Sequence, residues 1–310
     1  ATCGGIAIGA GSRATGFNTV SIGGTTCSGN AYGIALGYYA CATSTEGISI
    51  GHVALTNANE TIAIGCVACS TQQFSVALGA GAQATGTGTV SIGKLSCATQ
   101  TCSFAIGYNS HATGIATITI GECAQTNGSC SIAIGRCATA LNANYSLAIG
   151  NTTCACGAFN IIIGSGGCAW CSDSIVIGES SCSLCFSSIA IGRLNKSLAC
   201  ETVTIGHVNH ACALRSYVLG GCNNKICSGN TLTTLVGGHS LTLDGTGFSE
   251  YVVVPNLSIY CTPTTGACTD SVLVWNSTDK KVKRVPYLSG STSGFALCCS
   301  LSIIGNSSAT

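Results

Sequence analysis

The sequence predicts an all-β chain, a parallel β-roll or β-solenoid of fourteen-residue repeats. Three observations predict it: a glycine at a fixed period, an apolar alternation just before each glycine, and an alternation of small residues just after it. The glycines stand at Gly9, Gly23, Gly37, Gly51, Gly65, Gly79, Gly93, Gly107, Gly121 and Gly135. After one inserted residue they resume at Gly150, Gly164, Gly178, Gly192, Gly206 and Gly220. A strict short period marks units that cannot bury an apolar face alone and therefore stack on their neighbours.

Apolar residues lie three and one positions before the glycine, as in Ile6-Ala7-Ile8, Ile62-Ala63-Ile64, Ile118-Thr119-Ile120 and Ile189-Ala190-Ile191. Alternation with β-branched residues is a strand signature, and both isoleucines share one face. The glycine then serves a corner that needs a positive φ or a close backbone approach. Three and five positions later come Ala40 and Ala42, Ala68 and Ser70, Ala82 and Ala84, or Ala138 and Ala140, the inward residues of a second short strand. Turn-like segments such as Gly86-Thr87-Gly88 and Asn127-Gly128 close the coil. With only Ala or Ser entering from the second strand, the isoleucines are expected to fill the interior.

Sixteen such coils over residues 1–220, at about 4.8 Å each, give a rod of roughly 75 Å. So small a coil has little core of its own, and a spare apolar face is expected to pack against identical chains around a shared axis. Residues 221–255 are expected to form irregular terminal coils, and residues 256–310 a small β-rich C-terminal module.

Composition narrows the function. Only 7% of residues are charged, net +1, while 46% are hydrophobic, which excludes a disordered chain. The one cationic cluster, Lys280, Lys281, Lys283 and Arg284, is too small for a nucleic-acid surface, and no run of eighteen apolar residues inserts in a membrane. Methionine is absent even at position 1, so a processed product or fragment is expected. Carboxylates are scattered: Glu46, Glu60 and Glu201 share one slot, Glu122 and Glu179 another, each expected to face water. Gly164-Ser165-Gly166-Gly167 lacks the Lys-Ser/Thr of a phosphate loop. No catalytic residues and no cofactor are therefore expected, and the chain does not read as an enzyme.

Twenty-four cysteines point to an oxidising, extracellular setting. Eight Asn-x-Ser/Thr sequons, Asn59, Asn127, Asn144, Asn151, Asn195, Asn256, Asn276 and Asn306, fit that setting without requiring it. The register stacks Cys27 on Cys41, Cys123 on Cys137, Cys154 on Cys168 on Cys182, and Cys171 on Cys185. Stacked Cα atoms near 4.8 Å fall within the disulfide range of about 4.4–6.8 Å, so bridges between coils or chains are expected for some pairs. The alternative is small apolar filler in an Ala/Ser slot. Cys168, Cys171, Cys182 and Cys185 form the one constellation with zinc spacing, but the fourteen-residue offset accounts for it without a metal. His207, His210 and Cys212 read as solvated surface, with His207 and His210 in slots shared with His52 and His111. Aromatics at turns, among them Tyr38, Tyr39, Tyr108, Phe159, Trp170 and Phe186, either contact carbohydrate or pack over adjacent coils or protomers.

The segment Ser75-Val76-Ala77-Leu78-Gly79-Ala80-Gly81-Ala82-Gln83-Ala84-Thr85-Gly86 closely resembles the head repeats of YadA-type trimeric autotransporter adhesins. The resemblance spans about residues 1–220. It implies a left-handed parallel β-roll assembled as an intertwined homotrimer, and the same repeats also occur in phage and viral fibres. Beyond the repeats the chain departs from the bacterial pattern of basic neck and coiled coil. Gly220-Gly221-Cys222-Asn223-Asn224 and Gly237-Gly238-His239-Ser240 lead instead into Val254-Pro255-Asn256-Leu257 and a Val272-to-Val285 hairpin that resemble the end of viral fibre rods. The expected function is thus a trimeric phage or viral tail fibre at the virion surface, projecting sites for a host glycan or protein receptor. A bacterial adhesin head, a structural filament with end-to-end contacts and an ice-binding solenoid are the alternatives.

Overall fold

The computed structural model describes residues 4–244 and 250–255, together with the backbone of strands Ser271–Asn276 and Lys281–Pro286. The chain divides into two units, Ala1–Pro255 and Asn256–Thr310. In the second, Ser271–Asn276 pairs antiparallel with Lys281–Pro286, Ser271 opposite Pro286.

The first unit is a parallel β-solenoid, with no helix among the described residues. Each coil places one strand in each of two sheets. Strands ending just before or just after the ladder glycine, from Ile6–Ile8 through Val76–Leu78 to Val203–His207, form an eighteen-stranded isoleucine sheet. Two-residue strands such as Cys27–Ser28, Gln83–Ala84 and Cys168–Ala169 form the narrow sheet opposite. Consecutive coils pair in register, Val76 with Val90 and Gln83 with Cys97, with one shift between Ile205 and His207, where His207 pairs with Cys222. The ladder runs on past Gly220 with wider spacing: Tyr217–Cys222 pairs with Thr234–Val236, and that strand with Val252–Val253.

The inward residues are not the isoleucines. The residue between them is buried, Ala63, Ala77, Ala105 and Thr119 with no exposed surface, together with Ala82, Ala84 and their counterparts from the narrow sheet. The flanking apolar side chains point outward, Ile64 38% and Ile163 39% exposed. This corrects the expectation that isoleucine fills the coil. Two strands in a fourteen-residue loop leave room between them for Ala, Ser and Thr, and the larger residues take the opposite face of the same strand. The interior is consequently part polar and held by hydroxyl pairs, Ser91 with Ser96 at 2.7 Å and Thr119 with Thr126 at 2.6 Å.

Larger inward residues enter at two stretches, one where Val218, Ile226 and Leu235 pack on one another and one where the opposite residue shrinks. Ile162 and Val176 are fully buried, and between them the narrow sheet supplies Gly167, whose missing Cβ would lie 3.2 Å from Ile162 Cγ2 and Val176 Cγ1. Farther along, buried asparagines replace Ala at the same inward slot. Asn195 Oδ1 accepts from the Asn209 amide, and Asn209 Oδ1 from the Asn224 amide, both at 2.9 Å. Each buried amide group is thereby satisfied, as burial of a polar group demands.

At the corner, Gly79 has φ +134, and a Cβ there would lie 2.5 Å from the oxygen and 2.7 Å from the carbon of Gly93 in the next coil. Both conformation and closeness exclude a side chain. Two further corners per coil adopt left-handed backbone in ordinary residues, Val53 (φ 56) and Val67 (φ 58) among them. β-Branched residues resist that region. Stacking imposes it: the Val67 amide donates to His52 O of the preceding coil at 2.8 Å. The inserted residue before Gly150 is absorbed at Asn142 (φ 54), a residue type that tolerates the left-handed region.

Candidate functional surfaces

Three outward surfaces follow from this alternation. The first is the outer face of the isoleucine sheet, where residues such as Ile64, Ile163, Ile177, Ile205 and Leu219 repeat in register with large exposed area. Repeated over the coils it makes an apolar stripe, the kind of exposed surface that marks an interaction site.

The second is the outer face of the narrow sheet, one residue per coil, carrying Cys27, Cys41, Cys69, Cys97, Cys154, Cys168 and Cys182 interspersed with His, Gln, Lys and Arg. These cysteines are half-buried thiols. Cys27 pairs in register with Cys41, and Cys168 with both Cys154 and Cys182. Burial pushes the Cys41 thiol up, with Cys27 beside it adding to the effect. His210 stands on this face in register between Lys196 and Lys225. Burial foremost, then those two ammonium groups, hold its imidazole below its ordinary value.

The third surface is the two rows of corners. Cys123 and Cys137 occupy successive left-handed corners as free thiols. Cys171 and Cys185 do not pair, a correction to the register-based expectation. Cys185 is bonded to Cys200 of the following coil with Cα atoms 4.7 Å apart, and Cys171 Sγ donates to Leu184 O at 3.2 Å. With Cys185 so engaged, the zinc-spaced set Cys168, Cys171, Cys182 and Cys185 is not brought together. Among the described residues no group of three or more His, Cys, Asp or Glu is placed to hold a metal ion.

Aromatic corners pack on adjacent coils yet stay about half exposed. Tyr145 stacks on Phe159 with centroids 5.3 Å apart, Tyr38 on His52 at 5.6 Å, and Phe17 meets Tyr32 edge-on at 6.0 Å. Acidic corners form surface ion pairs along the stack, Glu179 with Arg193 at 3.1 Å and Glu201 with Arg215 at 2.7 Å. Exposed as they are, these contribute little to stability. Of the sequons within the described residues, Asn59, Asn127, Asn144 and Asn151 are exposed, whereas Asn195 is buried in the asparagine ladder.

Sequence reasoning missed that ladder, although the signal was there: Asn195 and Asn209 sit three after a ladder glycine, the slot of Ala40 and Ala82. It also missed the His–Cys contacts just past the glycine, where Cys222 Sγ lies 3.3 Å from His207 Nδ1 and Cys66 Sγ 3.8 Å from His52 Nδ1.

Comparison with known protein families agrees with this architecture. The family described as YadA head domain repeat matches in two copies, over residues 70–96 and 98–121. Among solved structures, the collagen-binding domain of the Yersinia adhesin YadA is 22% identical, with 49% of this chain and 83% of that chain covered at a TM-score of 0.37. No curated protein matches the chain. On the matched segments and the register that continues on either side of them, the chain carries YadA-like head repeats in an all-β parallel solenoid.

Proposed function

We propose that this chain is the rod of a homotrimeric extracellular fibre that presents binding sites for a glycan or protein on a host surface, most specifically a phage or viral tail fibre. The observation that carries the reading is the outward isoleucine stripe. A solenoid whose interior holds Ala, Ser and Thr, and whose largest apolar residues line one outer face, has its main hydrophobic core between chains. Three copies of one rod around that stripe leave the narrow sheet and the corners facing outward, where repeated weak contacts gain by multivalency. The YadA head repeat supports an adhesive role on a cell or particle surface. The Yersinia domain is titled collagen-binding, and a protein receptor of that kind is one candidate here. No chemistry on a substrate is part of this reading.

The test compares the full chain with an Ile64→Asp/Ile92→Asp variant, each coupled to beads and presented to cultured cells, collagen and a glycan array. Retention of wild-type beads on at least one surface, lost or at least tenfold weaker for the variant, supports a multivalent adhesive fibre. Wild-type beads retained on none of them would remove the adhesive role and leave a structural filament.

A further inference from the structure

The chain concentrates thiols on one stretch of the narrow sheet. Cys154, Cys168 and Cys182 stand on three consecutive coils in direct register, and Cys156 lies beside Cys154 with the two Sγ atoms 3.2 Å apart. Lys196 follows Cys182 in the same row on the next coil. A short way round the coil, Cys185 is already bonded to Cys200. Coil-to-coil bonding is therefore compatible with the stacking distance here, the Cα atoms of that pair being 4.7 Å apart.

We propose that Cys168 and Cys182 are a dithiol modification site, oxidised by a small-molecule disulfide to a second covalent staple between consecutive coils. Cys182 is the attacking thiol. Cys182 stands in register between Cys168 and Lys196, and the Cys168 thiol foremost, with the Lys196 ammonium, outweighs burial and brings Cys182 down to about 7. Cys168 is correspondingly raised, chiefly by Cys182 beside it and by burial. A thiol that ionises near ambient pH is the best attacker in exchange. Cys154 is the poorer partner for Cys168, being engaged with Cys156, whose own thiol burial and Cys154 push up to about 12.

The Cys182 thiolate attacks one sulfur of the external disulfide, forming a mixed disulfide and releasing one small thiolate. The Cys168 sulfur then attacks the Cys182 sulfur of that adduct, its proton passing to the departing second thiolate. Two protein thiols and one disulfide become one protein disulfide and two small thiols. The consequence is mechanical. Cys168 lies on the coil after Gly164, Cys182 and Cys185 on the coil after Gly178, and Cys200 on the coil after Gly192. The new bond and the existing one would link three successive coils in series, whether or not the rod is trimeric.

The test uses the full chain, reduced mildly, freed of reductant and treated with oxidised glutathione at pH 7.5, then alkylated and mapped after cleavage at Trp170 and Glu179, which separates the two cysteines. A Cys168–Cys182 cross-linked peptide is the expected result. In Cys168→Ser the glutathione adduct should accumulate on Cys182 at least fivefold over wild type, because the second thiol is gone. In Cys182→Ser, Cys168 should stay unmodified. Recovery of alkylated Cys168 from wild type, its linkage to Cys154, or equal adduct on both single variants would overturn the proposal.

Discussion

Replacing Gly79 by alanine isolates the contact that sets the fourteen-residue period. The new Cβ would fall 2.5 Å from Gly93 O and 2.7 Å from Gly93 C, both backbone atoms of the next coil that no side-chain rotation can clear. The φ of +134 adds strain of about 1–3 kcal/mol for a non-glycine residue. To relieve the overlap the coils must part, which stretches the bonds from the Gly93 amide to Leu78 O at 2.8 Å and from the Leu95 amide to Ala80 O at 2.9 Å. At about 0.5–1.5 kcal/mol per hydrogen bond, the two bonds and the strain together lose about 2–6 kcal/mol. Gly88→Ala is the control. Gly88 also has positive φ (+64), but its Cβ would meet only Cys102 Sγ at 3.9 Å, and neighbouring coils already hold Phe74 and Cys102 in that slot. That change should cost about 1 kcal/mol or less, the left-handed penalty being partly offset by a stiffer unfolded chain. Urea unfolding followed by far-ultraviolet circular dichroism measures both, and hydrogen exchange at the Gly93 amide localises the opening. Equal losses for the two variants would refute the reasoning, because the period would then reflect backbone freedom alone and not the approach of adjacent coils.

Two further outcomes follow from the interior and the narrow sheet. Ile162→Ala should destabilise by about 2–5 kcal/mol, and Gly167→Ala, which overpacks the same site, should cost less in that background than in wild type; a double-mutant cycle by urea unfolding reads the coupling. His210 is held below the ordinary imidazole value of 6.5, so the unfolded chain binds its proton more readily than the folded one. Its contribution is fully present above pH 6.5 and lost as pH falls through that value toward the lower folded one, and His210→Gln should flatten this part of a urea-midpoint profile.

The repeat, the parallel stacking and the place of each strand were legible because a period of fourteen fixes the register and an alternation of two fixes the faces. Which face turns inward was not. Ile62 and Ile64 share a face in any strand, and only the width left between two sheets in so short a coil assigns that face to the outside and Ala63 to the core. Ile162 shows the limit from the other side: it breaks the small-residue rule, and only its opposition to Gly167 explains how it fits. Stacked cysteines were legible as rows, since Cys168 over Cys182 is a matter of register. The Cys185–Cys200 bond was not, because its partners are fifteen residues apart and meet where a corner shifts the count. The left-handed corners at Val53 and Val67 left no mark in the sequence, as stacking hydrogen bonds override the preference of valine.

The proposed fibre requires the outward isoleucine face to be the shared core of several chains. The mass of the full chain in solution, measured by light scattering behind size exclusion at micromolar concentration, tests it most directly. Three times the single-chain mass is the predicted value, falling toward one copy in Ile64→Asp/Ile92→Asp. A wild-type mass of one copy, with that face open to solvent, would contradict it.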